Sequence, residues 1–409
     1  MNWMARWPGA FPVFATEASG SSLVDVDGNE YVDFCLGDTG AMTGHAPAAT
    51  VASITDQAAR GLSMMLPTDD AIEVGEELAR RFGLPFWQIA TSATDANRFA
   101  LRLARQVTGR PKVLVFNWCY HGTVDETLVT LGADGHSVAR EGHLGPPVDP
   151  SLTTAVVEFN DIDALERALS TGEIAVVVAE PVMTNIGIIH PDPGFHDAMR
   201  RITRATGTLL LIDETHTFCA GPGGYTREHG LEPDLFTIGK PIAGGLPAGA
   251  YGMTAAVAER VHDLVIGPDS DVAGVGGTLA GNALTLAAIR ATLAEVLTDD
   301  AFAHMLPLGR RWADGVQAVI DEHAVPWSVT RLGARAEYWF VAARPRNGGE
   351  GAAGVDHDLD AFMHLYALNR GILLTPFHNM ALMSPATTPA DVDQHTETFA
   401  SAIHELLAG

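Results

Sequence analysis

Lys240 and Asp213 are the two residues whose type and setting point most directly to chemistry. Of the 25 basic residues, only Lys112 and Lys240 are lysines, which leaves 23 arginines, so chemistry that needs a side-chain amine has two candidates. Lys240 follows the apolar segment DLFTIG and precedes PIAGGLPAGAYG, where glycines let backbone approach a ligand closely. Burial lowers the pKa of an amine, and an uncharged amine condenses with a carbonyl. Arginine serves a solvated face equally well but forms no imine, so a lysine kept in this setting points to carbonyl chemistry rather than to a surface turn. Lys112, in TGRPKVL ahead of an apolar run, reads as a surface residue.

Asp213 closes the apolar run TLLLID (208–213) and Glu214 follows it. Open parallel sheets bind ligands at the carboxyl ends of their strands. A buried carboxylate there needs a partner, and the protonated pyridine nitrogen of pyridoxal phosphate is one that its chemistry requires. A helix cap or a loop carboxylate is the plainer reading of the same residue. Ser92, Ala93 and Thr94 lie between a short apolar segment and a helix starting near Ala96, which suits a phosphate on backbone N–H groups and equally suits ordinary capping. Tyr120 and His121 follow VFNWC at the end of another run, where a ring could stack on a planar cofactor or pack in the core.

These residues need elements to carry them to one place. From about 85 to 255 the runs VLVF (113–116), AVVVAEPV (175–182) and TLLLID are apolar throughout, as parallel strands covered on both faces are. Between them Ala96, Phe99, Ala100, Leu103, Ala104 and Val107 recur at helical spacing. The expected fold is α/β, a large domain on a mainly parallel sheet plus a smaller α+β domain. SSLVDVDGNEYVDF (21–34) alternates around a DG turn and predicts a hairpin. After about 300, a helical stretch alternates with strand-like segments near 327–342, so the smaller unit combines both chain ends. The divisions are 1–50 (N-terminal part of the small domain), 51–295 (large domain) and 296–409 (C-terminal small domain). The glycine-rich RPRNGGEGAAG at 344–354 reads as a surface loop.

Composition narrows the function. A net charge of −25 opposes a phosphate-backbone grip, which lysine and arginine patches supply, so nucleic acid is not an expected partner. An apolar fraction of 47% against 18% charged residues excludes general disorder. No apolar run approaches the roughly 20 residues that cross a bilayer, so no membrane association and a cytoplasmic location are expected. Cys35, Cys119 and Cys219 are scattered without a CxxC pair and read as buried thiols; neither a disulfide framework nor a metal site is expected.

The motifs also carry a resemblance. ATSATDANRFALRLAR, VFNWCYHG, AEPVMTNIG, LLIDETHTFCAGPGG, DLFTIGKPIAGGLPAGAYGM and GGTLAGNALTLAA are similar, in order, to the motifs of class III, fold-type I, pyridoxal-phosphate aminotransferases. They run from about residue 20 to the C-terminus, and the most similar branch holds glutamate-1-semialdehyde aminomutase and β-amino-acid aminotransferases. The resemblance implies pyridoxal 5′-phosphate, a Schiff-base role for Lys240 and a partnership of Asp213 with the ring nitrogen. It implies that Ser92, Ala93 and Thr94 hold the phosphate from one subunit of a homodimer while Thr278 reaches it from the other. Tyr120 would stack on the ring, with His121, Glu180 and Asn185 near it and His216 at the ring oxygen. Three positions depart from the family pattern: Ala93 replaces a glycine, Thr215 a ring-packing valine, and an arginine gives way near Cys219.

The implied activity is amino-group transfer between a small-molecule amine or amino acid and a keto acid or aldehyde. A 2,1-aminomutase, a racemase or a decarboxylase on the same fold are alternatives, and a non-catalytic protein that retains cofactor is the reading from another class. GILLTPFHNMALMSPATT contains no arginine to anchor a carboxylate. Arg6, Trp7, Phe11 and His378 are therefore the expected substrate contacts, Arg335 is an alternative anchor that reads more readily as a structural pair, and hydrophobic or aromatic amines or β-amino acids are the expected substrates.

Overall fold

The computed structural model describes residues 12–265 and 273–408, so Arg6, Trp7 and Phe11 lie outside the described residues. The chain opens with a meander of β1 (Ala15–Ser19), β2 (Ser22–Asp25) and β3 (Glu30–Asp33). The expected hairpin is present, and Asp25 builds its turn by accepting from the N–H groups of Asp27 and Asn29, both at 2.9 Å.

The central sheet contains β4 (Phe86–Ala90), β5 (Lys112–Phe116), β8 (Thr154–Val157), β9 (Ile174–Ala179), β10 (Leu209–Asp213), β11 (Leu235–Ile238) and β12 (Gly249–Met253). A two-stranded ribbon, β6 (Val129–Leu131) and β7 (Ser137–Ala139), stands apart from it. The order is β4-β12-β11-β10-β9-β5-β8, and β12 alone runs against its neighbours. Every residue of β9 is buried, as its unbroken apolar sequence requires, and each buried Val contributes about 1.5–3 kcal/mol. Because the other strands share one direction, the residues after β4, β5, β9, β10 and β11 leave along a single edge.

The helix Ala93–Thr108 shows how sequence places a site. Ser92 is extended (φ −159°, ψ 164°) and its hydroxyl accepts from Asp95 N, while Gly109 ends the helix in the left-handed region. Ala96, Phe99, Ala100, Leu103, Ala104 and Val107 are all buried, as their spacing predicts. The helix starts at Ala93, three residues before the expected Ala96.

The remaining strands are β13 (Ser328–Leu332), β14 (Arg335–Trp339), β15 (Ile372–Leu373) and β16 (Met380–Leu382). β13, β14 and β16 form one sheet, whereas β15 pairs in parallel with β3 and so joins the two ends of the chain. One core runs through Phe34, Phe236, Trp312 and Phe399, drawing on N-terminal, central and C-terminal segments. All three cysteines are buried and free, and burial pushes Cys35 and Cys219 up to about 12, which leaves both unreactive as thiolates.

The segment 344–354 is not wholly a loop. Gly348–Ala353 forms a short helix capped by Asn347, whose side chain accepts from Glu350 N. Its glycines serve close packing: a Cβ on Gly348 would lie 2.0 Å from the carbonyl oxygen of Asn117.

Candidate active site

A cavity of about 330 Å³ opens at the edge where the parallel strands end. Its wall includes Ser92, Ala93, Thr94, Tyr120, Glu180, Asp213, Thr215, His216 and Lys240, residues up to 148 positions apart in sequence. Sequence reasoning singled out each of these nine. His121, Asn185, Thr278 and His378 stand elsewhere. His121 reaches Asp213 from outside the cavity, and Thr278 is exposed on the chain before the helix Ala283–Ala291. Asn185 and His378 line a neighbouring groove with Trp118, Trp339 and Phe377.

Asp213 is the last residue of β10 and pairs in register with Thr237 on β11. Its carboxylate accepts from His121 Nδ1 at 2.9 Å, Asn97 Nδ2 at 2.8 Å and Thr215 N at 3.0 Å. Burial alone would raise its pKa, and these donors, His121 foremost, bring it down to about 2. The fold thus maintains a buried negative charge at the cavity floor. Nearby Glu180 is pushed the other way by burial, although Thr184 donates to it from both its N–H and its hydroxyl.

The end of the cavity beside Ser92–Thr94 is built by close approach. Gly122 has φ +79°, and a Cβ there would fall 2.1 Å from Thr94 Oγ1; a Cβ on Gly249 would fall 2.3 Å from the carbonyl oxygen of Ser92. Both contacts press the Ser92–Thr94 segment into place, so that the first N–H groups of the helix, which lack intrahelical partners, lie along the cavity wall. The positive end of a helix presented in this way accepts an anion.

Lys240 begins the tight turn Lys240–Ala243 with φ +44°. Leu36, Asp38 and Thr39 also hold positive φ (44°, 52° and 79°), a conformation that costs energy outside glycine and concentrates at functional sites. The two strained segments meet, because Lys240 Nζ donates to Asp38 Oδ2 at 2.7 Å. His216 Nε2 lies 2.6 Å from the same Nζ, and its Nδ1 faces Thr39 Oγ1 at 3.0 Å and Arg335 Nη1 at 3.2 Å. Burial first, then the basic groups of Lys240 and Arg335, hold His216 well below its ordinary value.

Sequence reasoning missed Asp38, Thr39 and Asn97. Asp38 and Thr39 sit in the unremarkable LGDTGAM, and Asn97 falls within an otherwise regular helical stretch. Arg335 pairs within the fold. It is fully buried, with its guanidinium on His216, the Thr184 carbonyl (3.2 Å) and Glu337 (3.6 Å). Lys112 pairs with Glu173 at 2.8 Å.

The sequence pattern of aminotransferase class-III matches residues 3–403. The chain belongs to the class-III aminotransferases. A glutamate-1-semialdehyde 2,1-aminomutase from Chloroflexus aggregans is 34% identical to this class-III chain, covering 98% of it and 92% of the relative. Among solved structures, a glutamate-1-semialdehyde-aminomutase from Pseudomonas aeruginosa in complex with PMP is 52% identical, with a TM-score of 0.97, over 99% of this chain and 90% of that one. An omega-transaminase from Sphaerobacter thermophilus is 31% identical, with a TM-score of 0.89, over 97% and 92% respectively.

The fold is therefore that of the fold-type I transaminases, and the cofactor of this class-III protein is pyridoxal 5′-phosphate. The cavity suits it. The floor holds a charged carboxylate, the start of the helix Ala93–Thr108 lines the wall, Lys240 supplies an amine, and the buried Thr215 hydroxyl has no hydrogen-bond partner. Among the described residues no helix is long and apolar enough to cross a membrane.

Proposed function

We propose that this protein moves an amino group between carbon atoms of small molecules, and that it does so as an aminomutase, within one amino aldehyde. The convergence of Lys240 and Asp213 on one cavity carries the amino-transfer part of this reading. The intramolecular part is supported by the aminomutases that match nearly the whole chain, one of them 52% identical.

When bound, pyridoxal phosphate supplies a carbonyl for the substrate's amine and a ring that accepts the electrons of a broken C–H bond. Ser92, Ala93 and Thr94 would hold its phosphate, joined by the partner subunit's Thr278 in a homodimer. Asp213 keeps its charge against the ring nitrogen, and His121 and Asn97 orient that carboxylate. Tyr120 covers the ring face, and Lys240 carries protons at Nζ. His216, Thr215 and Glu180 bound the space beside the lysine, with Asn185 at the margin. Arg6, Trp7, Phe11 and His378 remain the proposed contacts for the rest of the substrate.

A second reading, transfer between two molecules with a hydrophobic amine as donor, is supported by two observations. No arginine lines the cavity among the described residues, and the adjoining groove sets Trp118, Trp339 and Phe377 beside polar residues that include Arg140. Incubating the loaded protein with glutamate 1-semialdehyde alone separates the readings. Formation of the isomer with its amino group moved from C2 to C1, with no added acceptor, is the expected result. Turnover only when an amine is paired with pyruvate or 2-oxoglutarate would replace it with the second reading.

A further inference from the structure

Asp38 reaches Lys240 on a turn in which Leu36, Gly37, Asp38 and Thr39 all hold positive φ (44°, 59°, 52° and 79°). Three of the four are not glycine, so the surroundings hold the turn against its own preference. Leu36 is fully buried, and its N–H donates to Asp33 Oδ1 at 2.8 Å. Ala41 N donates to the Leu36 carbonyl at 2.8 Å and Asp38 N to that of Cys35 at 2.9 Å, which closes the turn without help from the cavity. The carboxylate is thus delivered to a fixed point, and Lys240 Nζ meets it there at 2.7 Å.

Each charge of this pair depends on the other. Lys240 donates to Asp38 Oδ2, Oδ1 is buried without a partner, and among the described residues no second carboxylate pairs with Nζ. Burial pushes the Asp38 carboxyl up, and Lys240, foremost among the neighbouring charges, brings it well below its ordinary value. The other titratable or charged groups around the pair come from several elements. They are His216, with Nε2 2.6 Å from Nζ, then Arg335 and His378 beyond it, Cys35 and Tyr120 near Asp38, and Asp213 and Glu180 on the cavity wall.

We infer that Asp38 is a positioning residue that holds Lys240 as an ammonium aimed at the cavity, and thereby sets the pH at which the lysine joins the cofactor. To join it, Nζ sheds one proton to solvent and its lone pair attacks the carbonyl carbon. The carbonyl oxygen then leaves as water with the two protons that Nζ retained. A carboxylate in contact favours the charged form and so opposes the first of these steps.

This inference rests on the reading of Lys240 as the residue that joins the cofactor, and the two fail separately. Failure of that reading leaves a visible band in Lys240→Ala, whereas Asp38 is tested by how fast the band returns. Parent and Asp38→Asn are stripped of cofactor and reloaded with pyridoxal phosphate across pH 6 to 10. Asparagine keeps the shape of the side chain and adopts left-handed backbone readily. The pH of half-maximal rate should fall by about 1 unit or more in the variant, and capture at pH 7 should be several-fold faster. Asp38→Gly, which suits φ +52°, should shift the profile in the same direction. Coincident profiles for the parent and these variants overturn the inference.

A second readout uses Lys112 as an internal reference, because its ion pair with Glu173 at 2.8 Å is untouched by these substitutions. In stripped protein near pH 7, acetic anhydride should raise the labelling of Lys240 relative to Lys112 several-fold in Asp38→Asn over the parent. An equal ratio would contradict the role of Asp38 as counter-ion.

Discussion

Asn97 donates to Asp213 at 2.8 Å across 116 positions of sequence, and Thr237 determines which end of the amide does so. The Thr237 hydroxyl donates to Asn97 Oδ1 at 2.7 Å, which turns the NH₂ toward the carboxylate. All three side chains are buried, so the orientation has no water to fall back on. Thr237→Val deletes the donor and leaves the Asn97 carbonyl oxygen buried and unpaired, a loss of about 1–3 kcal/mol. Urea unfolding should show that loss and dialysis a weaker hold on pyridoxal phosphate; an unshifted midpoint would refute the arrangement.

Asp213→Asn tests the charge itself. The native carboxyl titrates at about 2, against ~3.9 in the unfolded chain. A depressed carboxylate contributes stability that is complete above the unfolded value and fades as pH falls toward the native one, here about 2–3 kcal/mol. The stability gap between parent and variant should therefore narrow from pH 5 to pH 3. Turnover should fall steeply at neutral pH, because a neutral amide does not hold a proton on the ring nitrogen.

His395→Phe should make the protein more tolerant of mild acid. His395 is fully buried against Trp312, with ring centroids 4.8 Å apart, and burial lowers it to about 3. The unfolded chain takes up a proton near pH 6.5 that the native state refuses, so the histidine costs stability as pH falls below that value. At pH 5 the cost is about 2 kcal/mol. Thermal melts at pH 7 and pH 5 should show the variant gaining on the parent; a constant difference would mean His395 protonates in the native state.

Gly122→Ala places a methyl where only 2.1 Å separates it from Thr94 Oγ1, at φ +79°. The start of the helix Ala93–Thr108 must shift to admit it. Affinity for pyridoxal phosphate should fall at least tenfold, equivalent to about 1.4 kcal/mol, and an unchanged dissociation constant would remove this segment from the phosphate site.

Lys240→Ala should retain cofactor through phosphate and ring contacts while losing turnover and the visible band of the lysine-bound form. Lys112, engaged with Glu173, has no route to replace it. A surviving band in the purified variant would assign the chemistry to another group.

The legible part of the site is the part that local sequence encodes. Asp213 ends a run too apolar to be anything but a covered strand, and Lys240 follows another. Once the strands share a direction, both residues must leave at one edge. Asp38 escaped notice because nothing within LGDTGAM marks it; its meaning lies in a contact with a residue 202 positions away. Asn97 looks like an ordinary polar residue of a helix until Thr237 and Asp213 are brought against it. The glycines of the helix Gly348–Ala353 suggest a loop by composition, yet Gly348 admits the Asn117 backbone and Gly351 packs against Ile186. His378 was placed by its neighbourhood in sequence, yet its Nδ1 faces Glu337, so the structure puts it in the adjoining groove.

The parallel pairing of Val32 with Ile372 and Asp33 with Leu373 also sets an order of assembly during translation. Residues 30–33 wait for a strand made some 340 codons later, while the turn through Leu36 and Asp38 lies directly beyond the unfinished edge. Lys240 is synthesised long before that edge closes, so for much of elongation the nascent polypeptide holds its reactive amine without a fixed acceptor. The partner strand beside the turn that carries Asp38 is therefore supplied only after Ile372–Leu373 has been made, later than the last strand of the central sheet.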